Sequence, residues 1–506
     1  MAPAAAPLAA LATLTTVLLA VAPAPAAAAE SVLGLYVFHR HGDRTSKSFP
    51  PTELTALGAD QVFRSGAYYR SRYVAADAPG RIAALSPDVA QFPQLSITAP
   101  SDYVLQPSAN VFAQGLYPPA GAAAQQTLGN GTVTEPPLGG YQAVPVNLVA
   151  NSAAAGAADS ESSEWLQGGS GCNNAVVSSN GYFASAEYRA TLSSTAGFYE
   201  GLLPALNTTF TPAQASFKNA YTIYDYVHVS EIHNQTLLGA DVLTPAALAQ
   251  LQTRADQHEW GLAYNASEPV RAIAGAVLAA QVLQSLNSTV LAPPASPLAA
   301  HGAPRVSVQF GNYATFMSFF GLANLTAASP AFYGIVDYAA SIAFELVTNA
   351  TVSTTGPQQA QAPLDPSALG VRFLLSNGSA GLTGGLTAYP LFGQSELVLP
   401  WATFAAEMRK IAVGDTATWC QVCGNSTGVC DPASLGTGSS SANSNNNTGS
   451  KNNNGGGMSR PVAGVIGALV TLAVILGFEA LVMLVAGLRV VKKNVAVAGK
   501  AASAAA

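Results

Sequence analysis

The sequence predicts an α/β fold for most of the chain, with one C-terminal transmembrane helix. Three observations carry this. The run Val32-Leu33-Gly34-Leu35-Tyr36-Val37-Phe38 has no polar face and is rich in β-branched and aromatic residues, so it reads as a buried strand. Downstream, strand-like and helical patterns alternate as far as Trp419-Cys420. Near the end, Val462 to Leu488 is an apolar run longer than the ~20 residues that cross a bilayer.

The composition narrows the function classes. Of 506 residues, 49% are hydrophobic and 9% charged, so a large core is easily supplied. The net charge is −6 and no basic tract precedes the last residues, so nucleic-acid binding is not expected. Residues 1–29 are mostly Ala, Leu, Val and Pro with small residues before Glu30, the pattern of a secretory signal peptide. Four cysteines and ten N-x-S/T sequons, among them Asn130, Asn265 and Asn425, fit an oxidising, glycosylating compartment.

Taken in order, the first strand ends abruptly in Arg40-His41-Gly42-Asp43-Arg44. An imidazole between two guanidinium groups at the carboxyl end of a strand suits a phosphoryl group. The forks match its oxygens, and the ring can attack phosphorus. Leu54-Thr55-Ala56-Leu57-Gly58-Ala59-Asp60-Gln61 then opens a helix. A strand at Leu95-Ser96-Ile97-Thr98 leads to Ser101-Asp102, and Ser108-Ala109 begins a helix that runs to Gly115-Leu116-Tyr117-Pro118-Pro119.

Together these stretches resemble the opening of the histidine acid phosphatases, the secreted, phytase-like branch of the histidine phosphatase superfamily. The resemblance implies a three-layer sheet domain with a smaller helical domain inserted at about 120–290. Helical patterns at Ala246–Leu251 and, after Pro269, at Val270–Leu278 lie in that insert. Val306-Ser307-Val308-Gln309-Phe310 is the returning strand, and the phosphatase-like ectodomain spans 30–433.

The C-terminal part reads differently. Residues 434–460 are a Ser/Asn/Gly-rich stalk with too little apolar surface to pack a core. The span at 461–488 is followed by Arg489, Lys492 and Lys493, which place the tail 489–506 in the cytoplasm. This is a type I single-pass protein of the cell surface or secretory pathway, its ectodomain outside. Glu479 interrupts the span, and a partner helix is one reading of it.

The resemblance also assigns roles. His41 is the nucleophile that forms a phosphohistidine, and Arg40 and Arg44 hold the phosphoryl oxygens. A His-Asp pair at the end of the returning strand supplies the proton for the leaving alkoxide. Counting back from Gly321-Leu322, that pair falls on Gln309 and Phe310; sliding by a residue or two offers Gly311 and Asn312, and neither is an acid. A third phosphate-binding arginine falls on Val104. Among other candidates, His228 and His233 lie five apart, not the four that sets two metal ligands on one helical turn. No metal or cofactor is expected.

Cys420, Cys423 and Cys430 lie close together, and in an oxidising compartment they read as disulfide partners, with Cys172 joining them and connectivity open. Two functions stay in view. One is a membrane-anchored phosphomonoesterase acting on a phosphorylated small molecule. The other is a catalytically impaired relative that binds such a ligand without turning it over.

Overall fold

Strand β1 (Ser31–Arg40) is buried along nearly its whole length, as a strand covered on both faces must be. The computed structural model describes residues 30–82, 85–149, 171–233, 237, 239–292, 304–352 and 364–432. After β1 the chain forms α1 (Ala56–Tyr69), β2 (Leu95–Pro100), α2 (Leu105–Leu116) and the short β3 (Asn147–Val149). A helical unit follows, with α3 (Asn173–Phe183), α4 (Ala186–Ser194), α5 (Ala220–Ile232) and α6 (Pro245–Ala263). The chain returns through α7 (Ile273–Leu291), β4 (Val306–Gly311), α8 (Tyr313–Leu322), β5 (Ser341–Thr348) and β6 (Leu369–Ser376). It ends with β7 (Thr387–Tyr389), β8 (Val398–Pro400), α9 (Trp401–Ile411) and α10 (Thr416–Cys423).

Among the described residues, the central sheet runs β8-β6-β5-β1-β4-β2-β3, with β7 beside β6. The pairs β1/β4, β4/β2 and β2/β3 are parallel, and β5, β6 and β8 extend the sheet antiparallel. On one face α1 and α2 set Tyr69, Phe112 and Leu116 against Val37, Val308 and Phe310. On the other, α7, α8 and α9 set Leu278, Phe316 and Phe404 against Phe38, Phe344 and Phe373. Helices thus pack on both faces of the central sheet. Phe38 and Phe316 pack with ring centroids 4.8 Å apart, and truncating either to Ala would cost about 3–5 kcal/mol.

The helical unit has its own core, formed by Tyr182, Tyr188, Phe217, Ile223 and Leu251 among others. Strand β3 pairs with β2, and α7 lies against the sheet, so both belong to the α/β layers. The helix Pro269–Leu291 is long and apolar enough to cross a membrane, but 67% of its apolar window is buried, and it packs on the sheet as a core helix. The expected signal peptide, stalk, C-terminal span with Glu479, and tail lie outside the described residues.

All four cysteines are paired, Cys172 with Cys423 and Cys420 with Cys430. The first bond ties the start of α3 to the end of α10, across 251 residues of sequence. A cross-link over so long a loop restricts the unfolded chain strongly.

Candidate active site

The motif turn is held by two glycines. A Cβ on Gly42 would sit 2.2 Å from Gly58 O, and one on Gly58 would sit 2.0 Å from Asp43 O. The start of α1 therefore lies directly on the turn, and no larger residue fits at either place. Thr55 caps α1 by accepting from Gly58 N at 3.0 Å, while its own hydroxyl donates to the Asp43 carboxylate. From the other side, Gly42 N donates to Ser108 Oγ at 3.3 Å, and Ser108 Oγ donates to Val104 O at 2.7 Å. The sequence stretches that carried the resemblance meet here.

His41 is 1% exposed. Its Nδ1 lies 2.7 Å from Gly42 O, and a carbonyl only accepts, so Nδ1 carries the proton. When the ring is neutral, its lone pair lies on Nε2, the nitrogen suited to attack phosphorus. His39, one rung earlier, is turned into the core: Nδ1 faces Arg40 O at 2.6 Å and Nε2 faces Ser65 Oγ at 2.7 Å. Burial pushes the His39 ring down to about 4, so it is neutral.

Both arginines are committed within the protein. Arg44 Nη2 pairs with Asp225 Oδ1 at 2.9 Å and donates to Tyr221 OH at 3.1 Å, and its Nη1 donates to Thr45 O at 2.9 Å. Arg40 Nη1 donates to Val336 O, and its guanidinium lies 4.6 Å from the Tyr338 ring centroid and 5.4 Å from that of Tyr313. Tyr338 also lies 5.6 Å from the His41 ring and 5.9 Å from the Arg44 guanidinium. One aromatic ring thus borders all three motif side chains. The slot bounded by Arg40, Tyr224, His228 and Tyr338 has a volume of about 10 Å³, room for roughly one water molecule.

The turn that carries Tyr338 is itself unusual. Ala339 has φ +57°, in the left-handed region a Cβ disfavours, and its N–H donates to His41 O at 2.7 Å. Arg40 N bonds Ala340 O at 2.8 Å. The strained residue is pinned to the motif by these two backbone bonds.

Ladder register sets the level of β4 against the motif. Phe38 pairs with Gln309, His39 with Phe310, and Arg40 with Gly311. Gln309 and Phe310 are therefore inside β4, one on each face. Tyr36 OH donates to Gln309 Oε1, and Phe310 stacks between His39 at 4.9 Å and Phe112 at 5.7 Å. The strand ends at Gly311, and Asn312 caps α8 by accepting from Ala314 N at 3.1 Å and Thr315 N at 3.3 Å. Gly311 and Asn312, not Gln309 and Phe310, stand at the level of Arg40 and His41. Val104, buried, caps the start of α2 beside the motif and brings no charge there.

Helix α5 contributes residues the sequence reading passed over. Tyr221 and Asp225 reach Arg44, and Asp225 Oδ2 also accepts from Ser46 Oγ at 2.9 Å and Lys47 N at 2.8 Å. His228 stacks on Tyr224 at 5.2 Å and on Tyr338 at 6.1 Å, and burial lowers its pKa below the usual histidine range. His233 Nε2 meets Asp43 Oδ2 at 2.7 Å. The two histidines thus have separate partners and form no joint metal site. The Tyr-x-x-Tyr-Asp-x-x-His spacing over 221–228 puts these side chains on one helical face, a signal legible only once that face has a neighbour.

Comparisons place this arrangement among known proteins. The model of the histidine phosphatase superfamily (branch 2) matches residues 49–358. No curated protein matches the chain. Among solved structures, the phytase of Klebsiella sp ASR1 is similar at 11% identity and TM-score 0.49, covering 78% of this chain and 98% of that one. Hafnia alvei phytase in complex with tartrate is similar at 12% identity and TM-score 0.48, covering 79% and 99%. The multiple inositol polyphosphate phosphatase of Bifidobacterium longum, in complex with inositol hexasulfate, is similar at 12% identity and TM-score 0.44, covering 78% and 96%. With its family match extending over more than half its length, the chain belongs to the histidine phosphatase superfamily, branch 2.

Proposed function

We propose that this chain is a catalytically impaired member of its family, a membrane-anchored extracellular protein that retains an anion-binding turn for a phosphorylated small molecule. The observation that carries the reading is the Arg44–Asp225 pair beneath the Tyr338 ring. A cation already neutralised by a buried carboxylate contributes little to a phosphoryl group. The lack of an acid at Gly311–Asn312 supports it further, because an alkoxide leaves poorly without a proton. Arg40 supports the retained anion affinity. It is buried with no carboxylate partner among the described residues, so an entering anion would compensate its charge.

A second reading, a working phosphomonoesterase, is favoured by the His41 tautomer, which leaves Nε2 as the nucleophile. His228, bordering the slot, is the side chain that would then have to deliver the proton. The anchor and the outside location rest on residues 1–29, the apolar run and the basic residues after it. Protease protection of the intact chain in microsomes tests that topology.

The catalytic question is tested by phosphate release from an aryl phosphate and an alkyl phosphate, with the full chain and its His41→Ala variant. The expected result is no His41-dependent turnover of the alkyl ester, together with measurable binding of inorganic phosphate. Alkyl ester hydrolysis that disappears in His41→Ala would establish the enzyme instead.

A further inference from the structure

A groove of about 970 Å³ opens where α3, α4 and α6 of the helical unit face the turn Pro330–Tyr333. One wall is aromatic. Trp260 lies 4.7 Å from Tyr333, edge to face, and 5.5 Å from Tyr264, tilted, between ring centroids; together they form a stepped aromatic shelf, and Tyr333 is 48% exposed. The rest of the lining is mostly side-chain amides, hydroxyls and carboxylates, including Gln252, Thr253, Gln257 and Asp256.

Charge excludes a phosphorylated occupant. Glu187, Asp256 and Glu268 line the groove against one cation, Arg271. That guanidinium is already spent, on Ser178 Oγ at 3.0 Å, Gly261 O at 2.7 Å and Glu268 Oε2 at 3.3 Å. An aromatic shelf beside amides and carboxylates matches a pyranose, whose C–H face lies on a π-face while its hydroxyls bond the polar rim.

Two sequon asparagines line the same groove: Asn265 of Asn265-Ala266-Ser267 and Asn377 of Asn377-Gly378-Ser379. Asn265 Oδ1 accepts from Ser267 N at 3.0 Å, and Asn377 Oδ1 accepts from Asp337 N at 2.8 Å. In each the oxygen is engaged, and the nitrogen is the atom an N-linked sugar takes.

We infer that this groove is a carbohydrate-binding site in which the Trp260–Tyr264–Tyr333 shelf seats an uncharged sugar. The sugar comes either from the chain's own glycan at Asn265 or Asn377 or from a separate oligosaccharide. The site stands apart from the phosphate reading, and only the own-glycan source depends on the extracellular location proposed above.

The test uses the full chain from a glycosylating host, in a detergent without a sugar headgroup. Calorimetric titrations with N,N′-diacetylchitobiose and with mannotriose are made on the native and enzymatically deglycosylated protein and on an Asn265→Gln/Asn377→Gln variant. Saturable binding to the deglycosylated protein is expected, weakened at least tenfold by Trp260→Ala and by Tyr333→Ser. The exposed Tyr333 makes its variant the safer of the two for folding, and unchanged thermal unfolding of that variant verifies it. Binding by the double glutamine variant but not by native protein identifies the attached glycan as occupant. Binding by both identifies a separate oligosaccharide. No saturable binding of either sugar to the deglycosylated and double-glutamine forms, or binding indifferent to both shelf variants, overturns the site. Choline binding in place of both sugars also overturns it, making the shelf an organic-cation site.

Discussion

Arg44 Nη2 bonds Asp225 Oδ1 at 2.9 Å, with 0% and 2% of the two side chains exposed. One residue lies in the motif turn and the other on the helical unit, so the pair joins two layers of the protein as well as neutralising a phosphate ligand. Removing one partner strands a buried charge. Asp225→Ala should cost about 3–5 kcal/mol, read as a lowered urea midpoint, and replacing both residues by Met and Leu should recover most of that loss. An unchanged midpoint in Asp225→Ala would show that the pair contributes nothing net.

Tyr338 borders the motif side chains that an anion would approach. Its ring lies 4.6 Å from the Arg40 guanidinium and 5.6 Å from the His41 imidazole. Tyr338→Ala should open the slot and raise affinity for inorganic phosphate at least tenfold over wild type, measured by calorimetry. Equal affinity in the two proteins would mean that the ring is no barrier.

Asn312 caps α8 at the residue after β4, whose last rung pairs Gly311 with Arg40. Aspartate caps a helix as well as asparagine does, so Asn312→Asp should fold normally. Combined with Tyr338→Ala, it should raise alkyl phosphate hydrolysis by ~10²–10⁴ over Tyr338→Ala alone. A smaller gain for an aryl ester is the accompanying signature, since that leaving group needs little protonation. Identical rates with and without the carboxyl group would place the missing acid elsewhere.

Buried His39 and half-buried Asp256 set opposing pH slopes. His39 titrates near 4 when folded and 6.5 when unfolded, so the unfolded chain binds more protons between those values and stability falls as pH drops through them. Burial pushes the Asp256 carboxyl up to about 6 from 3.8, although it accepts from Ile335 N at 2.8 Å. There the folded state binds more protons, and stability is lost as pH rises through 6. Asp256→Asn keeps an oxygen for Ile335 and removes the second slope. Its thermal midpoint should therefore fall more steeply than that of wild type between pH 6 and pH 4. Parallel profiles would refute the assignment.

Much of the site's frame could be read from local residues. The strand into Arg40-His41-Gly42 and the helix opened by the 54–61 run follow from apolar patterning and motif spacing, and both lie where the sequence puts them. What lay beyond local reading is the level of β4 against the motif: pairing with β1 sets Gly311 beside Arg40, with Phe310 and Gln309 one and two rungs earlier.

The primary structure thus settled the strand, the motif turn with Arg40, His41 and Arg44, and the helix that follows them. Folding in three dimensions decided what those side chains do there. Asp225, Tyr338 and Asn312 lie far along the chain from His41, and no local propensity links them to it. Their meeting depends on ladder register and on the seating of α5 against the turn, which emerge only when the layers pack.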